Sequence, residues 1–263
     1  MRRLSVTDQV RRVAIVGASG LVGTVLREGL RDRYDLVCLD RRGHRGTGVR
    51  RLDARRTRAV ARAIRGCDGV VLLASVAQAN APWRDIYRTN LAVVPAVLEA
   101  ARRAGVNRVV FASSNHTSTG YEEHEPWASV LAGRHEGLTP ATLPLLAVDA
   151  PPLPRSAYGA SKVFGEAACE WYAAAHGLSV TSLRIGTVLT PDRPRQTRHW
   201  STWLSHRDLV GMVDAALRAD APSLPRVVWG VSANTWRIWD TRPSYPGYEA
   251  QDDAERFDRG LAT

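Results

Sequence analysis

Short apolar segments alternate with helical patterns along most of this chain, and the alternation constrains the fold more than any other feature. Residues 12–16, 69–73 and 108–112 are nearly all apolar, and each segment is followed by small or polar residues. Strands of this kind, buried on both faces, are typical of a parallel sheet covered by helices. The sequence therefore predicts an α/β fold built on a doubly wound parallel sheet.

The predicted elements follow one another without a composition change that would mark a second domain. Strands are predicted at residues 12–16, 34–39, 49–52, 69–73, 108–112, 179–183 and 226–231, and helices at 21–30, 55–65, 83–104, 157–176 and 209–217. We expect a single domain over residues 1–263. It would carry an inserted loop at about 117–156, where prolines break the pattern, and a small substrate-binding cap at about 190–263.

The net charge of +10 requires that nucleic acid be considered as a partner. The densest arginine stretch, residues 41–65, is preceded by Asp40 and interrupted by Asp53. No zinc-finger, helix-turn-helix or aromatic RNA-binding motif accompanies it. We therefore expect a solvated basic surface that helps to attract an anionic substrate, and no nucleic-acid partner. An arginine-rich nucleic-acid binder stays open as an alternative.

Features of secreted, membrane and metal-binding proteins are missing from the sequence. No apolar run approaches the roughly 18 residues that span a bilayer, and no apolar stretch follows the basic N-terminus as in a secretory signal. Cys38, Cys67 and Cys169 have neither metal-ligand spacing nor the pattern of a disulfide framework. We expect a cytoplasmic protein with no metal and no membrane partner.

A glycine motif, Gly17, Gly20 and Gly23, connects the first strand to the first helix. Such a turn lets the backbone approach a pyrophosphate and directs the helix N–H groups at it, which is the dinucleotide site of a Rossmann-type fold. Asp40 ends the second strand, where a carboxylate would accept the hydroxyls of the adenosine ribose and favour NAD over NADP. The neighbouring Arg41 keeps NADP open as the less favoured cofactor.

Lys162 is the only lysine in the chain, and every other lysine-or-arginine position is an arginine. It follows Tyr158 by four residues on a predicted helix, so the two side chains share one helix face. An ammonium lowers the pKa of a neighbouring phenol, which lets tyrosine act as a general base. Ser114, at the end of the fifth strand, would orient the substrate oxygen. We therefore predict Ser114, Tyr158 and Lys162 as the catalytic residues.

These motifs together resemble the extended branch of the short-chain dehydrogenase/reductase family, over about residues 13–240. The resemblance rests on the glycine turn, Asp40, Asn90, Ser114 and the segment 158–162, and it implies a cofactor that carries hydride while the tyrosine moves a proton. The cofactor-binding residues it implies are Gly17, Ser19, Gly20, Leu21, Val22, Gly23, Asp40, Arg41, Leu52, Asp53, Leu73, Ala74, Ser75, Asn90, Tyr158, Lys162 and Ile185. Asp53 could instead serve as a surface or capping residue, and Asn90 could be a solvated polar residue.

Within that family, segments 111–116, 184–186, 201–208 and 228–240 resemble uronate dehydrogenases. The resemblance implies NAD-dependent oxidation of glucuronate or galacturonate at C1 to the aldarolactone, with Tyr158 as the base. The substrate-binding residues it implies are Gln78, Ser114, Asn115, His116, Tyr158, Thr187 and Arg198. Arg198 would hold the C6 carboxylate, a task suited to a bidentate guanidinium, although a surface ion pair is the alternative; His116 could likewise be a polar loop residue.

The chain departs from that pattern beside the expected substrate. Gln78 and Thr187 stand where serines are usual, Ile238 replaces a tryptophan, and the loop at about 121–142 is expanded. Two other functions stay open: a sugar or sugar-nucleotide epimerase or dehydratase, and a non-catalytic NAD(H)-binding regulator. The small anionic sugar is the expected partner, and a homo-oligomer is possible.

Overall fold

The computed structural model describes residues 10–43, 46, 48–219, 226–245 and 247–257, which form one parallel sheet flanked by helices. The strands are β1 (Arg12–Val16), β2 (Asp35–Asp40), β3 (Arg50–Arg51), β4 (Gly69–Leu72), β5 (Arg108–Ser114), β6 (Ser179–Ile185) and β7 (Val227–Gly230). Their order across the sheet is β3-β2-β1-β4-β5-β6-β7, and all neighbours pair in parallel. The predicted doubly wound, Rossmann-type sheet is confirmed.

Helices connect these strands and lie on both faces of the sheet. They are α1 (Leu21–Leu30), α2 (Thr57–Ala63), α3 (Trp83–Ile86), α4 (Ala92–Ala104), α5 (Trp127–Leu131), α6 (Ala157–His176), α7 (His199–Thr202) and α8 (His206–Arg218). Short 3₁₀ helices span Asn115–Glu123 and Ala254–Arg256. None of the helices in the described ranges is both long enough and apolar enough to cross a membrane.

Alternate residues of each central strand pack into two separate hydrophobic cores. Ala14 and Val16 of β1 lie in the core formed with α2, α4 and α6, whereas Val13 and Ile15 lie in the core formed with α1 and α8. Successive side chains of a strand point to opposite faces of the sheet. β1 and β4 serve both cores and are therefore apolar at nearly every position, which explains these continuous apolar segments in the sequence.

The winding direction of the sheet reverses at β1. The chain proceeds from β1 outward to β2 and β3 and then returns to the other side of β1 as β4. Such a reversal leaves a crevice at the carboxyl ends of the two central strands, where α/β proteins of this type bind ligands. The glycine turn follows β1 and residues 73–75 follow β4, so both segments lie at this crevice.

The helix predicted at residues 83–104 is not continuous. A π-helical segment, Tyr87–Leu91, separates α3 from α4. Pro95 lies within α4 and has no N–H to donate to the carbonyl of Leu91, four residues earlier. The wider turn also places Asn90, inside the π segment, in a buried position. Insertions of this kind occur often at functional sites.

Residues 132–156 contain no helix or strand, as their prolines predicted. Residues 117–131 contain the end of the first 3₁₀ helix and α5, and the whole segment 117–156 builds a small hydrophobic core with the C-terminal part of the chain. Leu146 forms a parallel bridge with Trp239, in which the Leu146 N–H donates to the Ile238 carbonyl at 2.7 Å. The predicted loop is thus an ordered insertion that is held by Trp229 and Trp239.

Part of the region predicted as a cap belongs to the main sheet. Helix α8 packs into the core on the α1 face through Leu209 and Val213, and β7 pairs with β6 as the last strand. The segments that lie outside these layers include α7 and the second 3₁₀ helix. Helix α7 connects to the end of β6, because the Thr187 N–H donates to the Thr202 carbonyl at 2.7 Å.

Candidate active site

A cleft of about 810 Å³ opens at the carboxyl ends of the strands, where the winding reverses. Every residue that the sequence predicted to bind cofactor or substrate lines this cleft, except Asn90 and Arg198. The predicted catalytic residues are therefore brought together with the glycine turn. Lining residues that the sequence analysis did not single out include Val76, Thr89 and Val188, whose apolar or common side chains carry no recognisable motif.

The glycine turn has little room for side chains at two of its three glycines. Gly17 has a φ of 100°, and a Cβ there would lie 2.6 Å from the backbone nitrogen of Ala74. A Cβ on Gly23 would lie 2.5 Å from the carbonyl oxygen of Gly17. At Gly20 the nearest atom is 3.7 Å away, so this position faces the open cleft. Gly17 and Gly23 shape the turn, and Gly20 leaves space for a ligand to approach the backbone.

The N-terminus of α1 is suited to a phosphate group. The helix has no side-chain cap and no acidic residue in its first turn, so its N–H groups are available to an anion. The hydroxyl of Ser19 is buried without a hydrogen-bond partner in the described part of the chain. A bound pyrophosphate would provide acceptors for both the N–H groups and this hydroxyl, so the residues fit a dinucleotide.

Asp40 is fixed at the end of β2 by backbone donors. Its carboxylate accepts the N–H of Ser19 at 3.1 Å and the N–H of Arg42 at 2.8 Å. This contact holds the carboxylate against the glycine turn, the place where a ribose would follow the pyrophosphate. Asp53 differs, since it forms a two-pronged ion pair with Arg55 that holds the pKa of this carboxyl at about 2.

Strand β5 and helix α6 position the three predicted catalytic side chains. Ser114 is the last residue of β5, and Tyr158 lies in the first turn of α6, where Ser156 caps the helix. The Ser114 and Tyr158 side chains are both buried and line the same cleft. The Ser114 hydroxyl accepts the His116 N–H at 3.2 Å and donates to Asn115 Oδ1 at 3.4 Å. The Lys162 ammonium donates to the Ala112 carbonyl at 2.7 Å and lies 5.5 Å from the centre of the Tyr158 ring.

Burial disfavours the charged forms of the tyrosine and the lysine. Burial raises the pKa of Tyr158, and only the hydrogen bond with Ser114 lowers it. Burial also lowers the pKa of Lys162, to about 8. The spacing of Tyr158 and Lys162 predicted a more acidic phenol, but the side chains alone do not produce that shift. A further positive charge in the filled cleft would be needed to favour the phenolate.

Asn90 supports the site from behind. Its side-chain amide accepts the Val76 N–H at 2.8 Å, donates to the Val76 carbonyl at 3.1 Å and donates to the Ser161 hydroxyl at 2.9 Å. Ser161 in turn donates to the Tyr158 carbonyl. Asn90 thus joins the segment after β4 to the helix turn that carries Tyr158. It does not line the cleft, so the structure gives it a positioning role.

Uncharged polar groups surround the end of the cleft near Tyr158. The buried Asn115 has an amide nitrogen without a hydrogen-bond partner among the described residues, which leaves a donor for a ligand. Thr187 exchanges a 2.7 Å hydrogen bond with Thr202 of α7. The His116 ring lies 5.4 Å from the Tyr158 ring, in an edge-to-face arrangement. Gln78 lines the cleft after β4.

Arg198 forms an ion pair, the alternative left open from the sequence, and its partner is Glu122. Its Nε and Nη2 atoms donate to the two carboxylate oxygens of Glu122, at 2.8 Å and 2.6 Å. The pair lies close to His116: burial lowers the pKa of this histidine, the charge of Arg198 lowers it further, and the charge of Glu122 raises it.

The described residues contain no cluster of three or more histidine, cysteine or acidic side chains that could hold a metal ion.

We expect the lone lysine to give this protein a distinctive pH dependence of stability. The pKa of Lys162 falls from 10.5 to about 8 on folding, so the unfolded chain binds more protons between these values. The free energy of unfolding of the wild type should therefore rise relative to that of Lys162→Met between pH 8 and pH 10, by about 1–3 kcal/mol. Urea denaturation at several pH values measures this difference.

The difference between the wild type and Lys162→Met can be assigned to Lys162, because the chain has no second lysine and both proteins contain the same tyrosines. Stability curves that run parallel from pH 8 to pH 10 would contradict the expectation. They would mean that the ammonium is solvated in the folded protein.

Comparison with known proteins places this geometry in a family. Residues 13–214 match the model of the NAD dependent epimerase/dehydratase family. An L-arabinose 1-dehydrogenase (NAD(P)(+)) of Haloferax volcanii is 37% identical over 232 residues, which cover 85% of this chain and 89% of that protein. A uronate dehydrogenase of Agrobacterium fabrum is 35% identical over 258 residues, which cover 96% of this chain and 89% of that protein.

The fold agrees with these sequence relationships. The crystal structure of uronate dehydrogenase from Agrobacterium tumefaciens superimposes with a TM-score of 0.78 at 32% identity, covering 94% of this chain and 86% of that one. The predicted resemblance, the NAD cofactor and the assignment as an NAD-dependent oxidoreductase are confirmed. The chain belongs to the NAD dependent epimerase/dehydratase family.

Proposed function

We propose that this protein oxidises a sugar at its anomeric carbon, with NAD+ as the electron acceptor. The observation that carries the proposal is that Ser114, Tyr158 and the chain's only lysine line the same cleft as the glycine turn. The relatives support the same chemistry, since an L-arabinose 1-dehydrogenase and uronate dehydrogenases share most of the chain's length.

Two hydroxyl groups would handle the proton in this reaction. The substrate would bind as a cyclic hemiacetal with its C1 hydroxyl between Ser114 and Tyr158, and Ser114 would orient that oxygen by a hydrogen bond. Tyr158, as phenolate, would accept the hydroxyl proton while the C1–H bond breaks. When bound, the oxidised cofactor supplies a positively charged nicotinamide ring that accepts the hydride and favours the phenolate. The product would be a lactone.

The remaining residues would hold the reactants. The first turn of α1 and Ser19 would bind the pyrophosphate, and Asp40 would accept the ribose hydroxyls. Asn115 offers its unpartnered amide to a sugar oxygen, and His116 and Thr187 lie beside it in the cleft. Lys162 would stabilise the charge on Tyr158, and its bond to the Ala112 carbonyl keeps it in place.

The identity of the sugar is a narrower question. The sequence resemblance favours glucuronate or galacturonate, with the carboxylate on Arg198. That guanidinium is already paired with Glu122, however, and one relative is an L-arabinose dehydrogenase, named for a sugar without a carboxylate. C1 oxidation is common to both possibilities, so it is the function we propose.

An epimerase would use the same fold and a similar tyrosine and lysine pair. It would return the hydride to its substrate, so no reduced cofactor would accumulate. Net formation of NADH from a sugar, followed by its absorbance, therefore distinguishes the two activities. A non-catalytic NAD(H)-binding regulator would bind the cofactor without any turnover.

Replacement of Tyr158 tests the proposed base. Tyr158→Phe should lower kcat by about 100- to 10,000-fold, because the variant has no group that can take the proton, while the dissociation constant for NAD+ changes by less than about threefold. Steady-state NADH formation and calorimetric NAD+ titration measure the two effects. Tyr172→Phe, on the same helix but outside the cleft, should keep wild-type kcat. Wild-type turnover by Tyr158→Phe would refute the assignment.

Replacement of Asp40 tests the cofactor site. Asp40→Ser removes the charged acceptor for the ribose hydroxyls, and such hydrogen bonds contribute about 1.5–3 kcal/mol. KM for NAD+ should rise roughly tenfold or more, and the preference for NAD+ over NADP+ should narrow. Asp35→Asn, at the opposite end of β2, is the matched control and should leave both quantities unchanged. An unaltered KM in Asp40→Ser would place the ribose elsewhere.

A further inference from the structure

The Glu122–Arg198 pair occupies one of the two edges through which the Arg198 guanidinium could bind a carboxylate with two hydrogen bonds. Both donors of that edge, Nε and Nη2, are bound by the two oxygens of one carboxylate. The Glu122 side chain is only 14% exposed and that of Arg198 is 32% exposed. Partial burial weakens solvent screening, so the contact is stronger than an ion pair on an open surface.

Both partners are held by elements that also form the cleft. Glu122 lies on the 3₁₀ helix that begins with Asn115 and His116, directly after Ser114. That helix is fixed at its middle, where the Gly120 N–H donates to the Leu153 carbonyl at 2.7 Å. Arg198 caps the start of α7, and its carbonyl accepts the Thr202 N–H. The pair is therefore placed by the same structure that positions the substrate groups.

The charge at this end of the cleft is consequently balanced. Apart from Lys162, the residues that line it near Tyr158 are uncharged, including Gln78, Asn115 and Thr187. Burial and the nearby Arg198 favour the neutral form of His116, so this ring offers a hydrogen bond and not a positive charge. Among the described residues that line this end, only Lys162 is a cation, and its ammonium is directed at the Ala112 carbonyl. No described arginine lines this end of the cleft, and the nearby Arg198 is already paired with Glu122.

We propose that Glu122 is a specificity-determining residue that neutralises Arg198 and makes this site selective for neutral aldoses over hexuronates. The proposal rests on the proposed C1 oxidation and concerns the substrate class of the same site. A hexuronate would have to displace the Glu122 carboxylate from Arg198 and then bind beside a second negative charge. Hydroxyl groups of a neutral sugar meet no such repulsion and match the uncharged donors and acceptors of the cleft.

The test compares sugars that differ mainly at C6. We would measure kcat/KM with saturating NAD+ for D-galactose, L-arabinose and D-galacturonate, in the wild type and in Glu122→Gln and Glu122→Ala. The wild type should prefer the better neutral sugar to galacturonate by at least tenfold. Both variants should raise kcat/KM for galacturonate at least tenfold, because Arg198 becomes available, and should change the values for neutral sugars less than threefold.

Two controls assign the effect to the ion pair. Glu123→Gln removes the neighbouring carboxylate, which forms an equivalent two-pronged pair with Arg155, and should leave the ratio between sugars unchanged. Adding Arg198→Gln to Glu122→Ala should abolish the gain for galacturonate. Thermal melting of each variant identifies any that is not folded. If one of the two Glu122 variants is unfolded, the other one tests the proposal.

The possible results separate the two proposals. A wild type that prefers galacturonate, or Glu122 variants that leave the ratio unchanged, would overturn the specificity proposal while C1 oxidation stands. No NADH from any of the three sugars would overturn the proposed C1 oxidation for these substrates and the specificity proposal with it. A shift of the ratio in Glu123→Gln as large as in Glu122→Gln would also overturn the specificity proposal, since it would reflect general surface charge.

Discussion

A single ammonium, buried against the carbonyl of Ala112, joins helix α6 to strand β5. The helix can approach this closely because Gly165 has no side chain; a Cβ there would lie 2.4 Å from the Phe111 ring. This contact holds α6 against β5, and Tyr158 and Ser114 line the same cleft. The geometry of the site follows from the approach of one helix to one strand.

Polar groups that are buried for function need partners, and here those partners connect separate segments of the fold. Asn90 satisfies the backbone of Val76 and also contacts α6. Arg184, buried between β6 and α6, pairs with Glu166 and donates to the carbonyl of Val148 in the inserted segment. Since an unpaired buried polar group is costly, these contacts fix both the helix and the insertion relative to the sheet.

Much of this arrangement could be predicted from the sequence. The apolar strands, the glycine turn and the Tyr158–Lys162 spacing are local patterns, and each one determines structure within a few residues. The cleft follows, because parallel strands bring their carboxyl ends together. Asn90 was recognised only by its match to a family pattern. Its burial depends on a π-helical turn, which no local sequence pattern predicts.

The parts that were not predicted depend on contacts between distant residues. Glu122 and Arg198 are separated by 76 positions, and nothing in either neighbourhood indicates that they pair. The insertion is ordered by Trp229 and Trp239, which lie far beyond it in the sequence. The pKa shifts of Tyr158 and Lys162 arise from burial, which depends on the complete fold and not on the spacing of the two residues.

The lone buried lysine also has a chemical consequence. Reagents that modify primary amines can react with only two groups in this chain, the terminal amine and the Lys162 ammonium. The second group is buried and lines the cleft beside Tyr158, so a reagent would reach it through the cleft. The rate of that single modification would therefore report how accessible the proton-transfer site is to a small reagent.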